Sequence, residues 1–471
     1  MRKLVGIATI SLACCVAMNA NESKEEFFGY SGSVGTFSKI GFNDAKIDTT
    51  KGIYPTDTFT TLFGRVDTTY NFKSFFSSDS VSVLKAGLGI AGGALIYDST
   101  RYDGQSDLYS NGSGLNKAYV GAWYGNGGVG GAAGGVRNYI LQNAFIDFQS
   151  EYFNLKGGRY ESGWDYFSGF TQGFQADVHF SVSDADALKF WWFSSWGRAF
   201  AYSQWFLDFY APKSSTKKNG DAVNLGIHAG GLDYTHSTIT TDNGVKSGMS
   251  VLVRPWTQFY PSLFNAAGGK IDYQQYFGNG YGVGVIAQGY ALTAIKKGGE
   301  NFNDKVDDLS GNLNVILQGF INEYTVRLGF YKNFGSAGAH IGTYGNPLGI
   351  DQWTGSVYDI GPSLNDITSR NAFSVYLSGG GSHSFEVGTF SWEILGRYTT
   401  APRSDEASIA LWLKQAFNNG FALGLKLEWL NDTTKAGYNT GAGLGDKTAK
   451  SLSAKRTDDR SHAFITLDYN F

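Results

Sequence analysis

Apolar and polar residues alternate with period two along most of this chain, and the alternation is clearest at its end. Counting back from Phe471, the residues Tyr469, Leu467, Ile465 and Ala463 are apolar, whereas Asn470, Asp468, Thr466 and His462 between them are polar, with Phe464 the one exception. Period two predicts a strand, because successive side chains point to opposite faces. A strand apolar on one face and ending on an aromatic fits the roughly 9–11 tilted residues that cross a bilayer. An amphipathic edge strand of a soluble sandwich would read the same from these residues alone.

The same alternation recurs through the chain. Phe28, Tyr30, Val34, Ile40 and Phe42 share one face of a first strand; Leu62, Val66, Tyr70 and Phe72 share a face of a second, with Arg65 and Asp67 opposite. Leu84, Ala86, Leu88 and Ile90 make a third, and Phe174, Ala176, Val178 and Phe180 a later one, with Gln175, Asp177 and His179 on its other face. The aromatic segment Phe200 to Tyr210 fits no simple period. Asn419-Gly420 predicts a tight hairpin between Leu411 and Asn431, Gly278-Asn279-Gly280 predicts another, and Asn322-Glu323 a third.

Polar stretches of two kinds, long and short, separate the strands in alternation, as in a meander with long outer loops and short inner turns. Strands are expected near 27, 58, 80, 138, 152, 172, 187, 222, 247, 268, 281, 312, 324, 372, 389, 407, 421 and 461, about eighteen in all. An even number puts both termini on the periplasmic side. The fold class is all-β: a transmembrane antiparallel β-barrel, closed because an open sheet would leave polar edges in lipid.

Composition agrees. The 471 residues are 17% charged and 16% aromatic, with 64 Gly and 7 Pro, too rich in glycine and aromatics for an ordinary soluble domain. A net charge of −3 leaves no footprint for nucleic acid. A slightly negative mean hydropathy suits a barrel, where only alternate residues meet lipid, better than a helical bundle. The longest uncharged run, Tyr273 to Ile295, is interrupted by five glycines and three glutamines and is a poor membrane helix.

Residues 1–20 read as a secretory signal peptide: Arg2 and Lys3 precede an apolar run, Leu4 to Ala13, and the segment ends with Ala17 and Ala20, although Met18 is larger than ideal three residues before the cut. Cleavage after Ala20 is expected, with Ala17 competing. Residues 21–471 would form the barrel, exported to a bacterial outer membrane. Cys14 and Cys15 both lie in the leader, so the mature chain would have neither disulfide nor thiolate metal site. Ser11-Leu12-Ala13-Cys14 has part of a lipoprotein box, but serine is the wrong first residue.

No catalytic or cofactor motif stands out. Gly125-Asn126-Gly127-Gly128-Val129-Gly130 has dinucleotide-binding spacing, but no strand leads in and no helix-forming run leads out. His179, His228, His236, His340, His383 and His462 have no metal-ligand spacing, and no G-x-S-x-G elbow occurs. The chain is therefore read as a non-enzyme without metal or cofactor. An ionised group facing lipid at mid-depth costs about 2–4 kcal/mol, so charges opposite the apolar stripes should face water. That rule sends Arg65, Lys189, Arg254, Arg327, Arg397, Lys414 and Lys426 into the lumen, with Asp67, Asp147, Asp177, Glu393, Glu428 and Asp468. They either meet small polar solutes or pair with one another. Arg159 falls on the lipid-side stripe of Phe153 and Leu155 unless a bulge at Gly157-Gly158 turns it inward.

The terminal strand, the strand number, and Leu155-Lys156-Gly157-Gly158-Arg159 followed by Glu161 to Thr171 and Gln172-Gly173-Phe174 resemble the OprD-like porins. Arg254-Pro255 and Phe264-Asn265-Ala266-Ala267-Gly268 are more closely similar to the Hof group of Helicobacter-type outer membrane proteins. The likeness runs from about 27 to 471. It implies a monomeric or trimeric eighteen-strand barrel with a narrowed channel, set in outer-membrane lipid, but carries over no solute from the Hof group; the mixed lumen charges suit small polar solutes. It also implies that the barrel assembly machinery reads Tyr469 and Phe471. In such porins the outer loop after the Gly-Arg strand folds into the channel. Here that loop carries Glu161, Trp164, Asp165, Tyr166 and Phe167, with Gly163 and Gly169 at its bends. Its acids would then oppose Arg65, Lys189 and Arg327. The alternative function is an adhesin that binds a host surface ligand through long loops at Asp98–Arg137, Asn333–Asn371 and Asn431–Arg460.

Overall fold

A computed structural model describes residues 27–45, 48, 51–75, 81–99, 138–204, 206–211, 215–216, 221–261, 264–295, 309–335, 366–440 and 451–471. The signal peptide, the Gly125–Gly130 motif and the middles of the three longest loops lie outside them.

Eighteen long strands make a closed antiparallel barrel. They are β1 Phe28–Gly41, β2 Phe59–Asn71, β3 Val81–Asp98, β4 Tyr139–Ser150, β5 Phe153–Glu161 and β6 Phe170–Ser181. Next come β7 Asp186–Ala201, β8 Ile227–Ser237, β9 Val245–Tyr260, β10 Phe264–Phe277, β11 Tyr281–Ala294 and β12 Leu309–Ile321. The last are β13 Tyr324–Phe334, β14 Phe373–Phe385, β15 Gly388–Thr400, β16 Ser404–Phe417, β17 Phe421–Thr434 and β18 His462–Asn470. Each pairs with its neighbour in sequence, and β18 returns to β1, with Val34 opposite Tyr469 and Ile40 opposite Ala463. No backbone edge is left to lipid, which could not hydrogen-bond it.

The expected strands are all present. The largest offset is at β8, which starts at 227 rather than 222; residues 222–223 pair instead with 215–216 in a separate ribbon. Short turns join even strands to odd ones: Asn322 takes φ +51°, and Gly278, Gly280 and Gly420 are also left-handed, as Asn and Gly there predicted. Chain ends and short turns lie at one rim, long loops at the other.

Burial follows the period. On β17, Phe421, Leu423, Leu427 and Trp429 are exposed while Lys426, Glu428, Leu430 and Asp432 are buried. The apolar row is the lipid surface, and the polar row faces the interior. Phe464, which broke the pattern in β18, sits on the polar row and packs inside on Phe37. Interior glycines make room for rings. A Cβ on Gly329 would lie 1.9 Å from the Tyr376 ring, and that ring is buried among Ile286, Ile316 and Leu395. Gly329→Ala should therefore cost about 1–3 kcal/mol of overpacking, seen as a lower unfolding temperature of the purified barrel; an unchanged temperature would mean that Tyr376 swings aside freely.

Candidate functional site

Strand β5 reaches the outer rim with Asn154, Lys156 and Tyr160 inward. Gly158 holds φ +118°, and a Cβ there would strike the Ala144 carbonyl at 2.2 Å, so this crossing needs glycine. The chain then turns into the barrel. Ser162 N–H donates to the Gly169 carbonyl (2.9 Å) and Phe167 N–H to the Trp164 carbonyl (2.9 Å), which closes a compact loop. Trp164 lies 4.6 Å from Trp191 and 5.4 Å from Trp256, ring to ring, and its Nε1–H donates to Gln258 Oε1 at 2.8 Å. Tyr166 packs on Trp256 and Tyr290, Phe167 on Phe193. All three loop aromatics are buried. Each contributes about 1.5–3 kcal/mol by leaving water, which the aromatic wall of β7, β9 and β11 makes available.

The loop carboxylate completes a charge chain across that wall. Asp165 Oδ2 is 3.2 Å from Arg254 Nη1 and 3.5 Å from Lys270 Nζ. Arg254 also grips both oxygens of Asp233 at 2.8 Å, and Asp233 accepts from Trp191 Nε1 and from Lys189 at 3.2 Å. Such a bidentate pair fixes geometry as well as charge. The guanidinium fork of Arg254 is thus spent on protein groups, whereas Lys189 keeps 42% of its side chain in solvent.

A family model described as Putative outer membrane protein (HP_OMP_2) matches residues 13–471. The chain belongs to this family. Its members' description and the closed, lipid-faced barrel place this outer membrane protein in the outer membrane. No curated protein sequence matches it. Three crystal structures of similar shape are OccAB4 of Acinetobacter baumannii (TM-score 0.58, 10% identity, 96% of this chain and 100% of that one), OpdK of Pseudomonas aeruginosa (0.53, 10%, 94% and 98%) and OccK2 (OpdF) of the same organism in complex with glucuronate (0.52, 11%, 94% and 96%). At such identities the shared property is the fold, which is the OprD-like one expected from the residues.

Several site expectations for this outer membrane protein need correction. Asp165 binds Arg254 and Lys270, and neither Arg65 nor Arg327, because the loop lies against β9 and β10. Lys189 joins only through Asp233. Glu161 is exposed on the rim, where it accepts from Tyr202 Oη at 2.7 Å; it continues the outward phase of β5, one residue after inward Tyr160. Arg159 likewise stays outside, donating to Gln172 and the Leu141 carbonyl and lying over Phe209. Arg397 and Lys426 do face inward, but both are almost fully buried, bound to Glu406 at 2.8 Å and to Glu428 at 2.6 Å. Burying an ion demands a partner, so these two are structural pairs without contact to a water path.

The remaining inward charges are partly wet. Arg65 sits 3.7 Å from Asp67, which also accepts from Gln142 and Asn143. Lys156 faces Asp147 at 3.7 Å, Asp177 meets His179 and Asn154, and Arg327 meets Glu393 at 3.2 Å. Lys414 is exposed and Asp468 half-buried.

Three further inward segments could not be placed from the sequence. The short strand Phe206–Tyr210 pairs with the outer end of β7 and sets Phe206 among Phe63, Ala91 and Ile140. A single 3-10 turn, Asp366–Thr368, buries Ile367 against Ile286, Ile316 and Leu395. Asp57, in the loop after β1, forms a buried pair with Lys39 at 3.1 Å. Three aromatics in Phe206–Tyr210 were a usable signal; one isoleucine in a polar loop was not.

Proposed function

We propose that this protein is a channel for passive diffusion of small hydrophilic solutes, narrowed by the 162–169 loop, and that it carries out no catalysis. The observation that carries this reading is the loop itself, folded into the lumen and fastened by Asp165 to Arg254 and Lys270, beside a wall whose charges remain partly in water. A plug would bury those charges, whereas a conduit keeps them wet. Arg65, Asp67, Asp177, Lys189, Arg254, Arg327 and Glu393 serve as its lining, and their mixed signs suit polar, zwitterionic or singly charged solutes. A fold relative was crystallised with glucuronate, which makes small sugar acids the first solutes to try.

Long loops motivated an adhesive reading, but one of them turns its Asp366–Thr368 segment inward and buries Ile367 against the barrel wall, which favours narrowing over display. Reconstitution into planar bilayers decides the matter: discrete ohmic steps are expected, altered in reversal potential under a salt gradient when Lys189 becomes Glu. A folded barrel that shows no steps at any voltage would overturn the channel reading.

A further inference from the structure

At the outer end of β16 and β17, three carboxylates from distant parts of the chain converge. Glu406 and Asp432 stand directly opposite in the β16–β17 register, both inward and both buried. Asp366, on the inward 3-10 turn, comes down on them, so that one oxygen of each lies within 4.8 Å of the others. Like charges directly opposite destabilise a strand pair, and burial makes the repulsion worse.

Two guanidiniums answer three carboxylates. Arg403 reaches Asp366 Oδ2 and Asp432 Oδ2, each at 2.9 Å, and Arg397 holds Glu406 Oε2 at 2.8 Å. Glu406 Oε1 accepts the Asp366 backbone N–H at 2.8 Å; Ser369 and Ser404 hydroxyls donate to Asp366. Among the described residues, these pairs leave one carboxylate more than there are guanidiniums. Asp432 Oδ1 is buried and meets no donor among the described residues, on a side chain only 5% exposed. A buried carboxylate oxygen left so is costly.

We infer that Asp366, Glu406 and Asp432 bind a hard cation of the calcium class, which pins the inward 3-10 turn to the barrel wall. Three oxygens within 4.8 Å of one another share a point no more than about 2.8 Å from each, a few tenths of an ångström from the calcium–oxygen range of about 2.3–2.6 Å, and calcium is bound by carboxylate and carbonyl oxygens. Arg403 occupies the Oδ2 side of Asp366 and Asp432, which leaves Asp432 Oδ1 for the ion. No His or Cys takes part, so no spacing motif could reveal the site: its ligands are forty and twenty-six positions apart, counting from 366 to 406 and from 406 to 432.

The test uses the full-length barrel, folded in detergent and stripped of divalent ions, titrated with CaCl2 by calorimetry. One saturable site per chain is expected, with a dissociation constant of about 1 mM or tighter, the range of extracellular calcium modules. Bound calcium should slow proteolysis near 366–369. Asp432→Asn should weaken binding about tenfold or more, since ligand charge tunes affinity, whereas Asp48→Asn in the loop after β1 should not. No binding to the wild type, or equal binding to Asp432→Asn, would overturn the assignment. So would protection that follows acidification without calcium, which would make a proton the missing charge. If Asp432→Asn fails to fold, the wild-type titration and Glu406→Gln decide. None of these readouts depends on conductance.

Discussion

Removing residues Gly163 to Gly169 should raise single-channel conductance several-fold and weaken discrimination among solutes. The cut is geometrically mild, because the retained flanks already meet, with Glu161 opposite Phe170 in the β5–β6 register, so a short linker in place of the removed residues can rejoin the chain. What is lost is a wedge of three buried aromatics and the carboxylate that bridges Arg254 and Lys270. Each aromatic withdrawn from its packing gives up about 1.5–3 kcal/mol, so the deletion variant will be less stable. Folding is therefore checked first by heat-modifiable migration. Unchanged conductance in a correctly folded variant would mean that the narrowest point is built elsewhere, with Phe206–Tyr210 the next segment to remove.

Loss of Phe471, or Tyr469→Asp, should block assembly more than any loop change of similar size. Phe471 exchanges two backbone hydrogen bonds with Gly32, at 2.8 and 3.0 Å, and a Cβ on Gly32 would lie 2.4 Å from its ring. Gly32 is thus shaped around the terminal aromatic. Tyr469 packs at a tilt against Phe421 with centroids 4.7 Å apart, a contact worth about 0.5–1.5 kcal/mol beyond area. That amount alone would not abolish a barrel. A large defect would therefore point to recognition of the terminal strand during insertion as well as to lost packing. Equal amounts of folded, heat-modifiable barrel in mutant and parent would refute it.

Much of the barrel could be read from period two because lipid and lumen impose opposite demands on neighbouring residues, so each strand declares both faces. Turns were legible where Asn and Gly supply left-handed conformations, as at Asn322 and Gly420. The aromatics Trp164, Tyr166 and Phe167 signalled burial, but packing outward onto neighbouring loops would have met that demand too, and the inward course was expected from the resemblance to OprD-like porins. Partners were not legible. Strand phase says that Arg254 and Arg65 both point inward, yet which one faces Asp165 depends on where the loop comes to rest along the circumference, and phase carries no such information. For the same reason Arg397 and Lys426 could not be told from wet lining residues, since strand phase does not show that Glu406 would close over one and Glu428, Trp412 and Phe464 over the other. The strand near 222 was misplaced because residues 222–223 pair with 215–216 instead of with a barrel strand.

The stitching between the loop after β1 and the chain leading into β18 bears on how the ring survives. Arg456 Nη1 donates to the Lys51 carbonyl at 2.7 Å and Arg460 to the Tyr54 carbonyl at 2.8 Å, while Thr440 caps the Gly52 carbonyl at 2.7 Å. At the opposite rim Phe471 and Gly32 are clasped. β1 and β18 are the one pair of barrel neighbours that are not consecutive in sequence, so their contact closes the largest loop and carries the largest entropy cost. Held at both rims, this junction cannot peel from either end without first breaking a clamp. Its persistence is then a matter of unfolding rate more than of equilibrium, and the place where a barrel is cut open in sequence becomes one of the slowest places for it to come apart.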